Sequence, residues 1–124
     1  MGTVLAAHDR LLAEYGGLDG IRDMGGLEGT LNRPQNLALY GKPDIADLAA
    51  CYAVGLAKAR AFADGNKRTA WATARVFLHL NGYRLVFDKA EAVAVMVRVA
   101  TGDVSDAALA QWFRERVRKV AAPQ

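Results

Sequence analysis

Apolar residues recur at helical spacing along most of this chain, and polar or glycine-bearing stretches punctuate them. Val4, Leu5, His8, Leu11, Leu12 and Tyr15 outline a first amphipathic helix over about residues 3–15. His8 lies on that stripe with no partner motif around it, so it reads as a core or boundary histidine rather than a catalytic one. From Gly16 to Gly29 the glycines crowd, and Asp19-Gly20 and Gly25-Gly26 read as turns. Leu27 to Asn32 then suits a short helix, and Pro34 opens a second one that runs to about Leu39. Asp44 is placed as the N-cap of a longer helix through Ala59, on which Ile45, Leu48, Tyr52, Gly55/Leu56 and Ala59 repeat.

The same pattern returns in the second half. Ala70, Ala74, Phe77, Leu78 and Asn81 mark a helix over about residues 66–79, with Gly82 at its C′ position and Trp71 packed in the core. Tyr83 to Phe87 alternates weakly and reads as extended, with no partner strand in view. Asp88-Lys-Ala-Glu91 resembles a capping box opening a helix to about Ala100, whose expected buried stripe is Val93, Met96, Val97 and Ala100. Gly102 stops it. Ser105 caps a last helix whose apolar face runs Leu109, Trp112, Phe113, Val117 and Val120. That face reads first as core, with a groove for a partner helix as the alternative. The expectation is an all-α, single-domain bundle spanning residues 1–124, with about six to seven helices and a glycine-rich flap.

One stretch breaks the pattern. Arg60-Ala-Phe-Ala-Asp-Gly-Asn-Lys-Arg68 crowds polar and charged groups into the turn between two helices. The first N–H groups of a helix lack intrahelical partners, and the helix dipole favours anions there. Gly65 permits positive φ or a close ligand approach. Lys67 and Arg68 set two cations in a first turn where the dipole alone favours acids. Ordinary capping accounts for Asp64 and Asn66 but not for that pair of cations. A phosphate site accounts for all of them. Asp64 would be the carboxylate for Mg²⁺, and Phe62 an apolar anchor that holds the loop to the core.

Composition narrows the setting. At 124 residues and 52% hydrophobic content, the chain is long enough for one core. A net charge of +3 is mild, and the C-terminal run of Arg114, Arg116, Arg118 and Lys119 reads as a solvated helix face, so no direct nucleic-acid partner is expected. The single cysteine, Cys51, falls in a buried helix and forms no internal disulfide or zinc pattern. No apolar run approaches the roughly 20 residues that span a bilayer, so no membrane association and a cytoplasmic location are expected. The opening Met1-Gly-Thr-Val4 is abrupt, as though some native N-terminal residues were absent or altered.

The motif resembles the signature loop of the Fic/Doc superfamily, His-x-Phe-x-Asp-(Gly/Ala)-Asn-(Gly/Lys)-Arg, and Lys67 resembles its death-on-curing (Doc) branch. Tyr15 through Glu28, Arg33-Pro-Gln-Asn36, and Thr69-Ala70 through Tyr83 extend the likeness to about residues 4–115. The resemblance implies a toxin of a toxin–antitoxin module that phosphorylates translation elongation factor Tu with ATP and Mg²⁺. It implies phosphate contacts from Gly65, Asn66, Lys67 and Arg68, a role for Asp64 in metal binding or in orienting the base, and target docking at flap residues Ile21, Arg22 and Asp23. It also implies silencing by an antitoxin segment that docks as a helix.

One position departs from the family. Where the motif begins with histidine, the general base, this chain has Arg60. A guanidinium, with a pKa above about 12 and no acceptor lone pair, cannot take the proton of a target hydroxyl. Three readings stay open: a Doc-type kinase disarmed by Arg60, a Fic-type adenylyltransferase, and a non-catalytic antitoxin-binding relative. Lys67 argues against the second, because it stands where such enzymes have glycine. Arg60 favours the third.

Overall fold

The protein is described here from a computed structural model covering residues 23–60 and 65–120. The helix expected over residues 3–15, together with Ile21, Arg22, Phe62 and Asp64, lies outside the described residues. Among them are five helices and one short ribbon: α1 (Met24–Tyr40), α2 (Ile45–Ala59), α3 (Asn66–Leu80), β1 (Tyr83–Leu85), α4 (Lys89–Thr101), α5 (Asp106–Arg114) and β2 (Val117–Lys119). The fold is helical, as the periodicity predicts.

Helix α2 is the axis on which the others pack. Ala46, Ala49, Ala50, Cys51, Ala53, Val54, Gly55, Leu56 and Ala57 are all buried, so the helix is covered nearly all round. Its small side chains let α1, α3 and α5 come close. At Gly55 an added Cβ would lie 2.7 Å from Thr30 Cγ2 on α1, so this crossing has room only for glycine. Leu27, Leu56, Leu78, Leu109 and Phe113 fill the gaps between helices at 0–1% exposure, each worth roughly 1.5–3 kcal/mol of burial. Trp71 joins Phe87, Trp112 and Phe113 in an aromatic cluster with centroids 5.1–6.2 Å away, a packing role as expected. Cys51 is a free, buried thiol, and burial raises its pKa.

The local caps form where the sequence places them. Asp44 and Asp47 close a reciprocal box at the start of α2, with Asp47 N donating to Asp44 Oδ1 at 2.8 Å and Asp44 N to Asp47 Oδ2 at 2.9 Å. Asp88 accepts from Glu91 N at 3.2 Å, and Ser105 Oγ from Ala108 N at 3.1 Å. Gly82 and Gly102 take positive φ after α3 and α4.

Five expectations need correction. The two short helices around Pro34 are one 17-residue helix that carries Pro34 inside it, and the Gly25-Gly26 pair lies in its first turn rather than in a separate turn. Leu27, Thr30, Leu31 and Pro34 form its buried face, and that burial outweighs the hydrogen bond and fit lost at proline. On α4 the buried stripe is Ala92, Met96 and Val99, whereas Val93 and Val97 are 58% and 44% exposed. The last helix stops at Arg114, and Val117 enters β2, which pairs antiparallel with β1 in the register Tyr83↔Lys119, Arg84↔Arg118, Leu85↔Val117. The strand without a visible partner therefore has one.

The basic C-terminal run is accordingly not one helix face. Arg114 holds Asp44 at 2.7 Å and Asp47 at 2.9 Å, Arg116 lies over the Trp112 ring at 4.2 Å, and Arg118 and Lys119 belong to β2. Among the described residues no helix is long and apolar enough to cross a membrane.

Candidate active site

The motif occupies the junction of α2 and α3. Helix α2 ends at Arg60, which adopts the left-handed conformation at φ 49° and ψ 43°. Among the described residues it alone has positive φ without being glycine. The left-handed region costs an L-residue roughly 1–2 kcal/mol, and glycine is its usual occupant after a helix. Backbone strain thus falls on the position where the motif departs from its pattern, a conformation the sequence does not announce.

Gly65 opens α3 at φ 74° and ψ 22°, an N-cap with no side chain of its own to cap the helix. Its carbonyl accepts from Thr69 N at 2.9 Å, which starts the helical ladder. The first turn holds Lys67 and Arg68, both exposed, and no acid. The next turn is anchored instead: Thr69, Ala70, Thr73 and Ala74 are buried against α2. A rigid helix therefore presents a cationic first turn at the surface. The sequence does not single out Lys58, an exposed cation in the last turn of α2, where the dipole by itself gives it a structural reason to be.

The chemistry this supports is recognition of an anion. Backbone N–H groups at a helix start, a glycine that takes positive φ, and two cations beside them suit phosphate oxygens. Gly65, Asn66, Lys67 and Arg68 occupy consecutive positions across this helix start. Of the flap candidates only Asp23 is described, and its carboxylate accepts from Gly26 N at 2.9 Å as the cap of α1. The candidate metal ligand Asp64 is not among the described residues, within which no group of three or more His, Cys, Asp or Glu side chains could hold a metal.

A cavity of about 340 Å³ lies elsewhere, lined by Leu37, Lys42, Pro43, Asp47, Cys51 and Asp106 near the opposite end of α2. Its two carboxylates are engaged, Asp47 by Arg114 at 2.9 Å and Asp106 by Arg33 at 3.0 Å. It is a packing gap beside ion pairs, with none of the motif in its walls.

Comparison with known proteins decides the affiliation. The family model described as Fic/DOC matches residues 2–78, a span that contains the whole motif. The chain belongs to the Fic/Doc family. Among curated relatives, the "Protein kinase doc" of Escherichia phage P1 is 38% identical over 112 residues, covering 90% of this chain and 88% of that protein. The "Toxin Doc" of Mycolicibacterium smegmatis is 45% identical over 94 residues, or 72% of each chain. The Fic/Doc match stops at Leu78, so the ribbon and α5 lie beyond it, although the likeness to the phage protein extends further than the family model does.

Proposed function

We propose that this chain is a Doc-type toxin of a toxin–antitoxin module, built as a kinase for translation elongation factor Tu and disarmed at position 60. The observation that carries the reading is the cationic first turn of α3 behind a left-handed Gly65, with Arg60 at the end of the preceding helix. The names of the two relatives, one a kinase and one a toxin, support the same reading.

In an active form, the hydroxyl oxygen of the target attacks the γ-phosphorus of ATP while a neutral imidazole at position 60 takes its proton, and ADP leaves. Asn66, Lys67, Arg68 and the N–H groups around Gly65 hold the phosphates and offset charge that grows in transfer. Mg²⁺, held by Asp64 and phosphate oxygens, would supply further charge neutralisation. With arginine at position 60 the proton has no acceptor, so binding persists while transfer stops.

Two further points bear on partners. Leu109 and Phe113 on α5 are 0% exposed, so the apolar face of that helix is spent on the core. An antitoxin helix therefore docks on another face. The target is cytoplasmic, and so is the proposed place of action. A second reading, a non-catalytic antitoxin-binding relative, is favoured by Arg60 itself if that residue serves the protein.

The test is to express the chain and Arg60→His under tight control, with and without antitoxin, and to follow label from ATP into elongation factor Tu. Toxicity confined to the histidine form, with transfer from γ-labelled ATP, is the expected result. Transfer from α-labelled ATP would indicate adenylylation. No toxicity and no transfer from either form would leave the binding module.

A further inference from the structure

The β1–β2 ribbon carries two cross-strand arginines, Arg84 and Arg118, that no acid among the described residues pairs with, while Arg116 beside them reaches Glu91 at 3.5 Å. Val86 N donates to Arg116 O at 2.9 Å and Val120 N to Gly82 O at 2.8 Å. Arg84 pairs with Arg118 midway between these bonds. By the alternation of antiparallel ladders, the main-chain groups of Arg118 face β1, and those of Val117 and Lys119 point away from it. Tyr83, Leu85 and Val117 pack against the core, so the opposite face carries Arg84, Val86, Arg116, Arg118 and Val120.

Arg84 and Arg118 are therefore directly opposed, with Cα atoms about 5.5 Å apart in a pair of this kind, and like charges so placed repel. No ion pair among the described residues joins either to an acid. Arg118 instead donates to two carbonyls of its own strand region, Val117 O at 2.8 Å and Glu115 O at 3.2 Å. The first of these is an outward-facing edge acceptor. Beside the arginines, Val86 and Val120 are 48% and 41% exposed.

We propose that the outer edge of β2 docks an extended acidic segment of a partner protein, which adds as a third strand and meets Arg84 and Arg118 with its carboxylates. The outward N–H and C=O groups of Val117 and Lys119 form a ladder that an extended peptide main chain matches in spacing. Carboxylates fit the guanidinium forks and relieve the opposed charges, and a charged acceptor outcompetes the neutral carbonyl that Arg118 now holds. Exposed valines suit aliphatic side chains of the incoming strand, whereas among the described residues the one ring in contact with this face, Trp112, is already covered by the Arg116 guanidinium and gives a base no free surface to stack on. A second copy of this chain is disfavoured, since edge-to-edge pairing would set Arg118 and Lys119 against their own kind. The proposal is independent of the kinase reading and of position 60.

The probe is an acetylated nonapeptide alternating glutamate with valine, compared with its lysine-for-glutamate counterpart and with an oligouridylate of similar charge. Affinity is read by fluorescence anisotropy at low salt, and the binding mode by amide hydrogen exchange at Val117 and Lys119. The glutamate peptide is expected to bind and slow exchange at both amides, and the double variant Arg84→Gln/Arg118→Gln to weaken it by about tenfold or more. Lys119→Pro removes one outward N–H while sparing the β1–β2 bonds, so it should abolish binding where Lys119→Gln retains it. Failure of the glutamate peptide to bind, or binding without protection at Val117 and Lys119, overturns the proposal. Oligouridylate binding as tightly with the same arginine dependence overturns it in favour of a general polyanion site.

Discussion

At its N-terminal end, α2 is closed by two carboxylates that cap each other's backbone and are clamped by Arg114 from α5. At its C-terminal end, the same helix runs into a left-handed Arg60, and across the loop α3 opens on glycine with two cations and no acid in its first turn. The first end has the features of stability: reciprocal caps, opposite charges and compensated carboxylates. The second has a non-glycine residue at positive φ and, across the loop, a glycine as N-cap with two cations in the first turn. Concentrating positive charge at a helix start and strain at a non-glycine residue costs folding energy, and such departures from local consistency are where functional positions are sought.

Changing one end of α2 at a time separates the two roles. Arg60→His should give the largest effect, a gain of roughly 10²–10⁴-fold in γ-phosphate transfer over the chain as it stands, measured with labelled ATP under single-turnover conditions. No change at the N-terminal end should produce transfer.

Gly65→Val comes next. A β-branched residue at φ 74° should destabilise the protein by about 1–3 kcal/mol, seen as a lower Tm, and should also weaken nucleotide binding because the first turn of α3 shifts. If Gly65→Val lowered Tm without touching nucleotide affinity, Gly65 would be structural only.

Asp44→Ala, at the other end, should cost about 1 kcal/mol through loss of the cap on α2 and leave nucleotide affinity unchanged. The smallest effect is its pH dependence. The side-chain hydrogen bond from Arg114 lowers the Asp44 pKa from 3.8 to about 2. A depressed carboxylate stabilises the fold above its unfolded pKa, and that contribution disappears as pH falls through the folded value. The Tm gap between the chain and Asp44→Asn should therefore be open at neutral pH and close between about pH 4 and 2. It should be small, since the Asp44 side chain is 49% exposed and screened.

What the sequence makes legible follows the same division between local and distant causes. Asp44, Asp88 and Ser105 cap helices through contacts within three residues, so pattern alone finds them. Gly65 at the head of α3 is readable for the same reason. Pro34 misleads because its local preference for a helix start yields to the burial of Leu27 and Leu31, which depends on α2. Val117 fits a helical stripe, yet it becomes a strand because Leu85, far away in sequence, pairs with it. On α4, exchanging Val93 and Val97 for Ala92 and Val99 is a rotation decided by neighbouring helices, invisible in a run where nearly every residue is apolar. The strain at Arg60 is a backbone property that residue identity does not disclose.

If Arg60 ends the chemistry but spares the proposed phosphate site at the start of α3, ATP still binds to this chain. Calorimetric titration of ATP into this chain, into Arg68→Gln and into Asp44→Asn addresses it directly. Binding by the unaltered chain, weakened about tenfold or more by Arg68→Gln and untouched by Asp44→Asn, is the predicted result. No binding by the unaltered chain, or binding indifferent to Arg68→Gln, would contradict the account.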